Sequence, residues 1–293
     1  MKKQIFIDTD VGLDDIIAIL MLIKSRKFKI SGFSTVFGLT RPEIGKNNLE
    51  IILNKLGIKL PVLTGSYSAI KGGGKFPALD IERSENYFKK IETQNRQNIC
   101  IEDEIFSKFS YPQDLVALGP LTNIAKTIQK YGPAFSSKVK RIVLMGGGLN
   151  SGNVPGKLAE YNIWLDPEAA KIVFSSKIQI VMVGTDATQF VPATKKFKNK
   201  IRVIKPKDIP SRILKEVICF NDSDFDFFYD PLLSAILIDS TIVLEQRMAS
   251  INVDLALQRG RTVVQNGIPK NVTIPTSIDT EKFYELLLQI AEN

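Results

Sequence analysis

The stretch "QIFIDTDVGLDDIIAILMLI" near the start of the chain combines two demands that conflict. It is apolar enough to be buried from end to end, yet it carries four aspartates, Asp8, Asp10, Asp14 and Asp15, within eight residues. A carboxylate taken out of water is costly unless it is protonated, paired or bound to a cation. Any fold that buries this stretch must therefore supply protons, partners or a metal ion at the same place.

The pattern of the rest of the chain says what kind of fold that is. Apolar, β-rich runs alternate with helical patterns along the 293 residues. The runs predict strands at 4–8, 30–36, 61–64, 114–118, 141–145 and 178–184. The helical patterns predict helices at 13–24, 42–56, 121–131, 167–174 and 280–291, with one more starting near Pro231. Strands that are apolar throughout and alternate with helices imply an α/β fold, an open, mainly parallel sheet with helices on both faces. No Pro/Gly/Ser linker or internal repeat divides the sequence, which reads as a single domain over 1–293. In such sheets ligands sit beyond the carboxyl ends of the strands. The polar residues that follow strands are then the candidates: Asp8 and Asp10, "GPLTNIA" (119–125), "GGGLNSGN" (146–153), "AEYNIWLDPEAA" (159–170), and Asp230 in "NDSDFDFFYDPLLSAIL" (221–237).

Composition removes several classes. Hydrophobic residues at 44% and charged residues at 24% are those of an ordinary globular chain. No apolar run reaches the roughly 18 residues of a membrane helix, and "MKKQIFID" is too short before its aspartate for a signal peptide. Cys100 and Cys219 have no metal-binding spacing and read as free thiols of a cytoplasmic protein. The formal charge of +8 comes from scattered lysines, as in "TKKFKNKIRVIKPK" (194–207), without interleaved aromatics. That is a solvated basic surface and not a nucleic-acid groove. The chain has no histidine, so the commonest acid–base side chain is unavailable to any mechanism.

Clustered carboxylates beyond strand ends are the ligand set of a hard divalent cation, provided the loops converge. An EF-hand fits poorly, since Gly12 stands one place early and Ile19 occupies the bidentate position. A haloacid-dehalogenase-type phosphatase also begins with a strand and D-x-D, but the immediate Asp14–Asp15 pair and the lack of a later G-D-x-x-x-D argue against it. Either Asp14 or Asp15 alone is explained as well by capping the following helix; all four aspartates together are not.

With these residues collected, the sequence resembles the nucleoside hydrolases, the inosine–uridine-preferring ribohydrolase family. The matching segments occur in order along the chain: "DTDVGLDD" (8–15), "STVFG" (34–38), "ALGPLTNIA" (117–125), "VLMGGG" (143–148), "AEYNIWLDPEAA" (159–170), "DPLLSA" (230–235) and "VTIPTSIDTEKFYELLL" (272–288). The resemblance implies hydrolysis of the N-glycosidic bond of ribonucleosides with Ca²⁺, in nucleoside salvage, by a dimer or tetramer. It implies that Asp10, Asp15, Asp230 and the carbonyl of Leu118 hold the cation, and that Asp10 is also the general base. Asp14, Asn153, Glu160 and Asn162 would hold the ribose hydroxyls, with Met145 against the sugar, while Asp8 orders the loop. The chemistry suits these residue types, because bond cleavage places positive charge on the ribose that carboxylates stabilise.

Four positions depart from the family pattern. Leu39 replaces an asparagine near the attacking water, and Tyr229 replaces the histidine before the late aspartate. Gln189 stands where a histidine is common, and "KGGGKFPALDIERSENYF" (71–88) replaces the loop over the site. The calcium and ribose side is kept and the base side is rewritten. Tyr229 is the candidate leaving-group acid, with Asp222, Asp224 and Asp226 as carboxyl alternatives; Trp164 and Tyr161 lie beside the ribose residues, and Trp164 reads as packing. The competing reading is a catalytically weak nucleoside- or ribose-binding protein on the same scaffold.

Overall fold

The structure, a computed structural model, describes residues 2–77, 81–82, 100–220, 226–266 and 270–293. Among these residues nine strands form one sheet: β1 Lys3–Thr9, β2 Phe28–Thr35, β3 Val62–Thr64, β4 Gln113–Ala117, β5 Val139–Met145, β6 Ile180–Val183, β7 Val243–Val253, β8 Thr262–Gln265 and β9 Val272–Ile278. Their order is β3-β2-β1-β4-β5-β6-β9-β7-β8. Every neighbouring pair from β3 to β9 is parallel. Only β7 runs antiparallel, against β9 on one side and β8 on the other.

The alternation of side chains along each strand builds the layers. On β1, Ile5 and Ile7 join the core formed with helices Leu13–Ser25, Ile209–Ile218, Tyr229–Ile238 and Thr280–Glu292. Phe6 points the other way, into the core under helices Ile101–Lys108, Thr122–Tyr131 and Pro167–Phe174. The same split recurs on β4, where Val116 and Leu115 part company, and on β5, where Val143 and Leu144 do. Helix Leu13–Ser25 is apolar on nearly every side because Tyr229–Ile238 covers it as well; the Ser234 hydroxyl donates to the Ala18 carbonyl at 3.0 Å.

β1 lies between β2 and β4, so the strand order turns back on itself there. That switch point is where an open α/β sheet leaves a crevice at its carboxyl edge. The pairing of β1 with β4 runs to this edge, where Leu118, the first residue after β4, donates its N–H to Asp8 O at 2.8 Å.

All six strands and six helices expected from the sequence are present, with ends moved by three residues or fewer. One shift changes the reading of the site. The late helix begins at Tyr229, so Asp230 lies inside its first turn and not before it; Pro231 is tolerated there because first-turn N–H groups have no helical partner. The sequence reading missed β7, β8 and β9 and the helices Ile101–Lys108, Pro133–Ser136, Tyr161–Leu165, Thr185–Thr188, Lys195–Val203 and Ile209–Ile218.

Candidate active site

The turn after β1 is held by its own side chains. Val11 has φ 57°, a conformation that disfavours β-branched residues, and it is buried. Its N–H donates to Thr9 Oγ1 at 3.0 Å. The Thr9 hydroxyl in turn donates to Asp15 Oδ1, and Asp15 Oδ2 accepts the Gly12 N–H at 3.0 Å. The capping expectation is thus met for Asp15, whose carboxylate closes the helix start. Capping does not account for its neighbours.

Asp14, Asp15 and Asp230 each bring a carboxylate oxygen within 4.8 Å of the others. Asp15 and Asp230 are buried and Asp14 is partly exposed. Asp230 Oδ1 is buried with no hydrogen-bond partner among the described residues. Asp10 is close enough to this trio to feel the charge of Asp14 and to interact with the Asp15 carboxyl; its Oδ2 accepts the Leu39 N–H at 2.8 Å, and its carbonyl accepts the Thr40 hydroxyl at 2.7 Å. Gly38 passes so close that a Cβ there would stand 1.9 Å from Asp10 Oδ2. Leu39 therefore meets Asp10 through its backbone, a contact that its side chain does not alter.

Burial and mutual repulsion act together on these carboxyls. Burial, then the charge of Asp14 among neighbouring carboxylates, pushes Asp10 up to about 7. Asp14 is also pushed up to about 7, by burial and then Asp15. Asp15 and Asp230 are held well above the usual carboxylate range by burial, next by Asp10 and Asp15 respectively. A carboxyl crowded in this way must keep its proton or gain a positive neighbour. The donor set is all oxygen, and an orphaned buried oxygen points to a missing partner. These residues fit a hard divalent cation.

Asp8 stands apart. Its Oδ1 accepts from the Ser34 hydroxyl and, at 2.8 Å, from Asn123 Nδ2. Asn123 also donates to Thr35 O at 3.0 Å and accepts from Ser66 N at 2.9 Å. Asp8 thus ties β1 to β2 and to the loop after β3. Its other oxygen is buried without a partner among the described residues, and burial pushes the carboxyl up to about 7.

On the opposite wall Glu160 caps helix Tyr161–Leu165. It accepts from Asn162 N at 2.9 Å, Gly147 N at 3.0 Å and Ile163 N at 3.2 Å. Burial nonetheless pushes it up to about 7, and the charge of Asp14 adds to this. Asn162 Nδ2 donates to the carbonyls of Leu118 (3.0 Å) and Met145 (3.1 Å), joining the ends of β4 and β5. Asn153 Oδ1 accepts the Tyr161 N–H at 2.9 Å. The Tyr229 hydroxyl is hydrogen-bonded to the Asn153 side chain, and burial followed by the Asp226 charge holds it well above the usual phenol range. The residues singled out in the sequence therefore converge, with Asp14 among the carboxylates as well as near Glu160.

Of the other candidates, Gln189 donates to the Asp186 carbonyl at 2.7 Å, Asp222 and Asp224 lie outside the described residues, and so does much of 71–88. The sequence reading passed over two aspartates that shape the site. Asp186 accepts from Leu149 N (2.5 Å), Asn150 N (3.1 Å) and the Ser151 hydroxyl (3.1 Å), fixing the loop that carries Asn153. Asp166 accepts from Ile70 N, Thr122 Oγ1 and Ala169 N. Asp186 follows β6 directly, so its place after a strand was the available signal.

A convergence of carboxylates and amides at the switch point defines an α/β enzyme with an acidic, cation-suited site and a polar wall opposite. The family model described as inosine-uridine preferring nucleoside hydrolase matches residues 5–285, and the chain belongs to that family, enzymes that hydrolyse nucleoside N-glycosidic bonds. It is 31% identical over 328 residues to a probable ribonucleoside hydrolase of Dictyostelium discoideum, covering 99% of this chain and 94% of the relative. It is 28% identical over 313 residues to the inosine-uridine preferring nucleoside hydrolase of Leishmania major, covering 100% and 98%. Among solved structures, a purine-preferring ribonucleoside hydrolase from Gardnerella vaginalis superposes with a TM-score of 0.82 at 26% identity, covering 99% of both chains.

Proposed function

We propose that the chain hydrolyses ribonucleosides to free base and ribose with Ca²⁺ held by the carboxylates of Asp10, Asp15 and Asp230 and the carbonyl of Leu118. The observation that carries this reading is the buried carboxylate cluster, whose members are held above their usual range while Asp230 Oδ1 has no partner among the described residues. Bound there, the cation supplies a fixed positive charge that keeps the carboxylates ionised and stabilises charge near the reacting atoms.

The remaining work falls to side chains. Asp14, Asn153, Glu160 and Asn162 hold the ribose hydroxyls, and Met145 lies under the sugar. Such hydrogen bonds reject analogues that lack the hydroxyls, because buried polar groups would be left unpaired. As the glycosidic bond breaks, the nearby carboxylates stabilise the positive charge on the ribose. Asp10 accepts the proton of the attacking water. Tyr229, whose hydroxyl stays protonated across the neutral range, donates to the departing base.

In the same reading the enzyme is a single domain serving nucleoside salvage in the cytoplasm as a homo-oligomer. Cys100 and Cys219 are thiols and not half-cystines, which supports that compartment, and among the described residues no helix is long and apolar enough to cross a membrane. The test is release of free ribose from a panel of ribonucleosides, with and without a chelator. Turnover that stops with the chelator and returns with Ca²⁺ is expected. Tight nucleoside binding without ribose release would favour the binding-protein alternative, and turnover indifferent to the chelator would remove the cation.

A further inference from the structure

The segment Lys71–Gly74 runs as a strap across helix Tyr161–Leu165. Gly74 N–H donates to Trp164 O at 3.2 Å. A Cβ on Gly73 would fall 1.6 Å from the Leu165 carbonyl oxygen, and one on Gly74 would fall 2.2 Å from the Trp164 ring. Only glycine allows so close a pass, but three glycines in a row carry the greatest backbone freedom. The strap must be fixed from outside.

Arg259 does this. Its guanidinium forms a bidentate pair with Glu168 (2.9 and 2.6 Å) and donates to the carbonyls of Lys71 (3.0 Å) and Gly72 (2.5 Å). Such a planar fork holds direction as well as distance. Arg259 sits in a turn organised by Asp254, whose carboxylate accepts from Ala256 N and Gln258 N and whose carbonyl accepts from Gly260 N. Two residues past the strap, Phe76 stacks on Tyr161 with ring centroids 4.6 Å apart and planes 22° apart. Tyr161 follows Glu160 in the chain and is anchored to Asn153.

We propose that Arg259 is a positioning residue for nucleobase recognition: by clamping the strap it seats Phe76 on Tyr161, and that aromatic pair is the wall against which the base packs. The proposal rests on the nucleoside reading of the site. Stacking on aromatic faces tolerates any base, so such a wall replaces what histidines would contribute to base binding in this histidine-free chain.

The test compares Arg259→Ala, Arg259→Lys, Phe76→Ala and the Arg259→Ala/Phe76→Ala double variant. The readouts are kcat and KM for uridine, cytidine, inosine and adenosine, inhibition by free ribose, and fluorescence of Trp164, the only tryptophan in the chain. Arg259→Ala should raise KM about tenfold, within the range expected for losing one base–aromatic stack, with kcat changed less than about twofold. Inhibition by ribose should not change. Arg259→Lys, which keeps the charge but not the fork, should recover part of the loss. The double variant should be no worse than its worse single parent, because both act on one contact. Trp164 emission should move to longer wavelength when the clamp is lost. Unchanged KM, equal weakening of ribose, or additive losses in the double variant would overturn the role in base recognition. Unchanged Trp164 emission would overturn the clamp. A wild-type protein that turns over none of the panel overturns the nucleoside reading and the base role with it, while the emission shift still decides the clamp.

Discussion

Replacing Asp10 by asparagine should make the metal-free protein more stable at pH 8 while removing nearly all turnover. Asp10 is pushed up from 3.8 to about 7 in the folded chain. A raised folded-state value means that its contribution to stability is complete below about pH 4, falls away as pH rises, and is gone above about 7. Over that span one carboxyl withdraws about 4 kcal/mol. Asparagine never ionises. Its carbonyl can take over acceptance of the Leu39 N–H, and its amide can donate toward the neighbouring carboxylates. With some of the gain lost to imperfect geometry, about 2–3 kcal/mol remains, which is roughly 3–5 °C in melting temperature for a chain of this size. The assay is thermal unfolding of chelator-treated wild type and Asp10→Asn at pH 4, 5 and 8. The difference should be largest at pH 8, smaller at pH 5 and negligible at pH 4. Saturating Ca²⁺ should reverse the order, since binding stabilises wild type by mass action. Turnover should fall roughly 10²–10⁴-fold from loss of the base alone. A metal-free variant that melts below wild type at pH 8, or gains equally at pH 4 and 8, would refute the reasoning.

Three further outcomes follow from the same geometry. Asp230→Ala should raise the Ca²⁺ needed for half-maximal turnover by roughly 10–100-fold, with partial recovery at high calcium; an unchanged calcium titration would remove Asp230 from the cation site. Gly38→Ala places a methyl where Asp10 Oδ2 now lies, and the displaced carboxylate should cost about a hundredfold in turnover for a modest loss in melting temperature; wild-type turnover would show that the turn relaxes freely. Tyr229→Phe should slow natural nucleosides more than p-nitrophenyl riboside, whose leaving group needs no proton, and wild type should show no loss of activity between pH 6 and 8 from an ionising acid. Equal effects on both substrates would leave Tyr229 as packing.

The six strands expected from the sequence are apolar on both faces, and burial on both faces is the property that periodicity detects. β7 escaped because Leu244 to Met248 are exposed and pair on an antiparallel edge, where no apolar run is required. The aspartates of the first turn and Asp230 were visible because they follow a strand or open a helix. Asp166 and Arg259 were not singled out because their partners, among them the Ile70 N–H and the Lys71 and Gly72 carbonyls, lie on distant loops. A sequence records that a carboxylate exists, but not which peptide it will meet. Nor does it reveal the left-handed backbone at Val11, since a β-branched residue is among the last expected there.

The bond from Ser234 to Ala18 spans 216 residues of chain, and the two halves of the acidic cluster are about as far apart. At roughly 5–20 residues per second of synthesis, some 10–40 s separate the appearance of Asp15 from that of Asp230. Through that interval the first aspartates remain hydrated and carry their charge at little cost. Their burial, and with it the demand for a proton or a cation, arrives only when helix Tyr229–Ile238 closes over helix Leu13–Ser25. Uptake of the proposed cation would thereby be a late event in the life of the nascent chain, and the free cation present at that moment would govern how readily helix Tyr229–Ile238 docks.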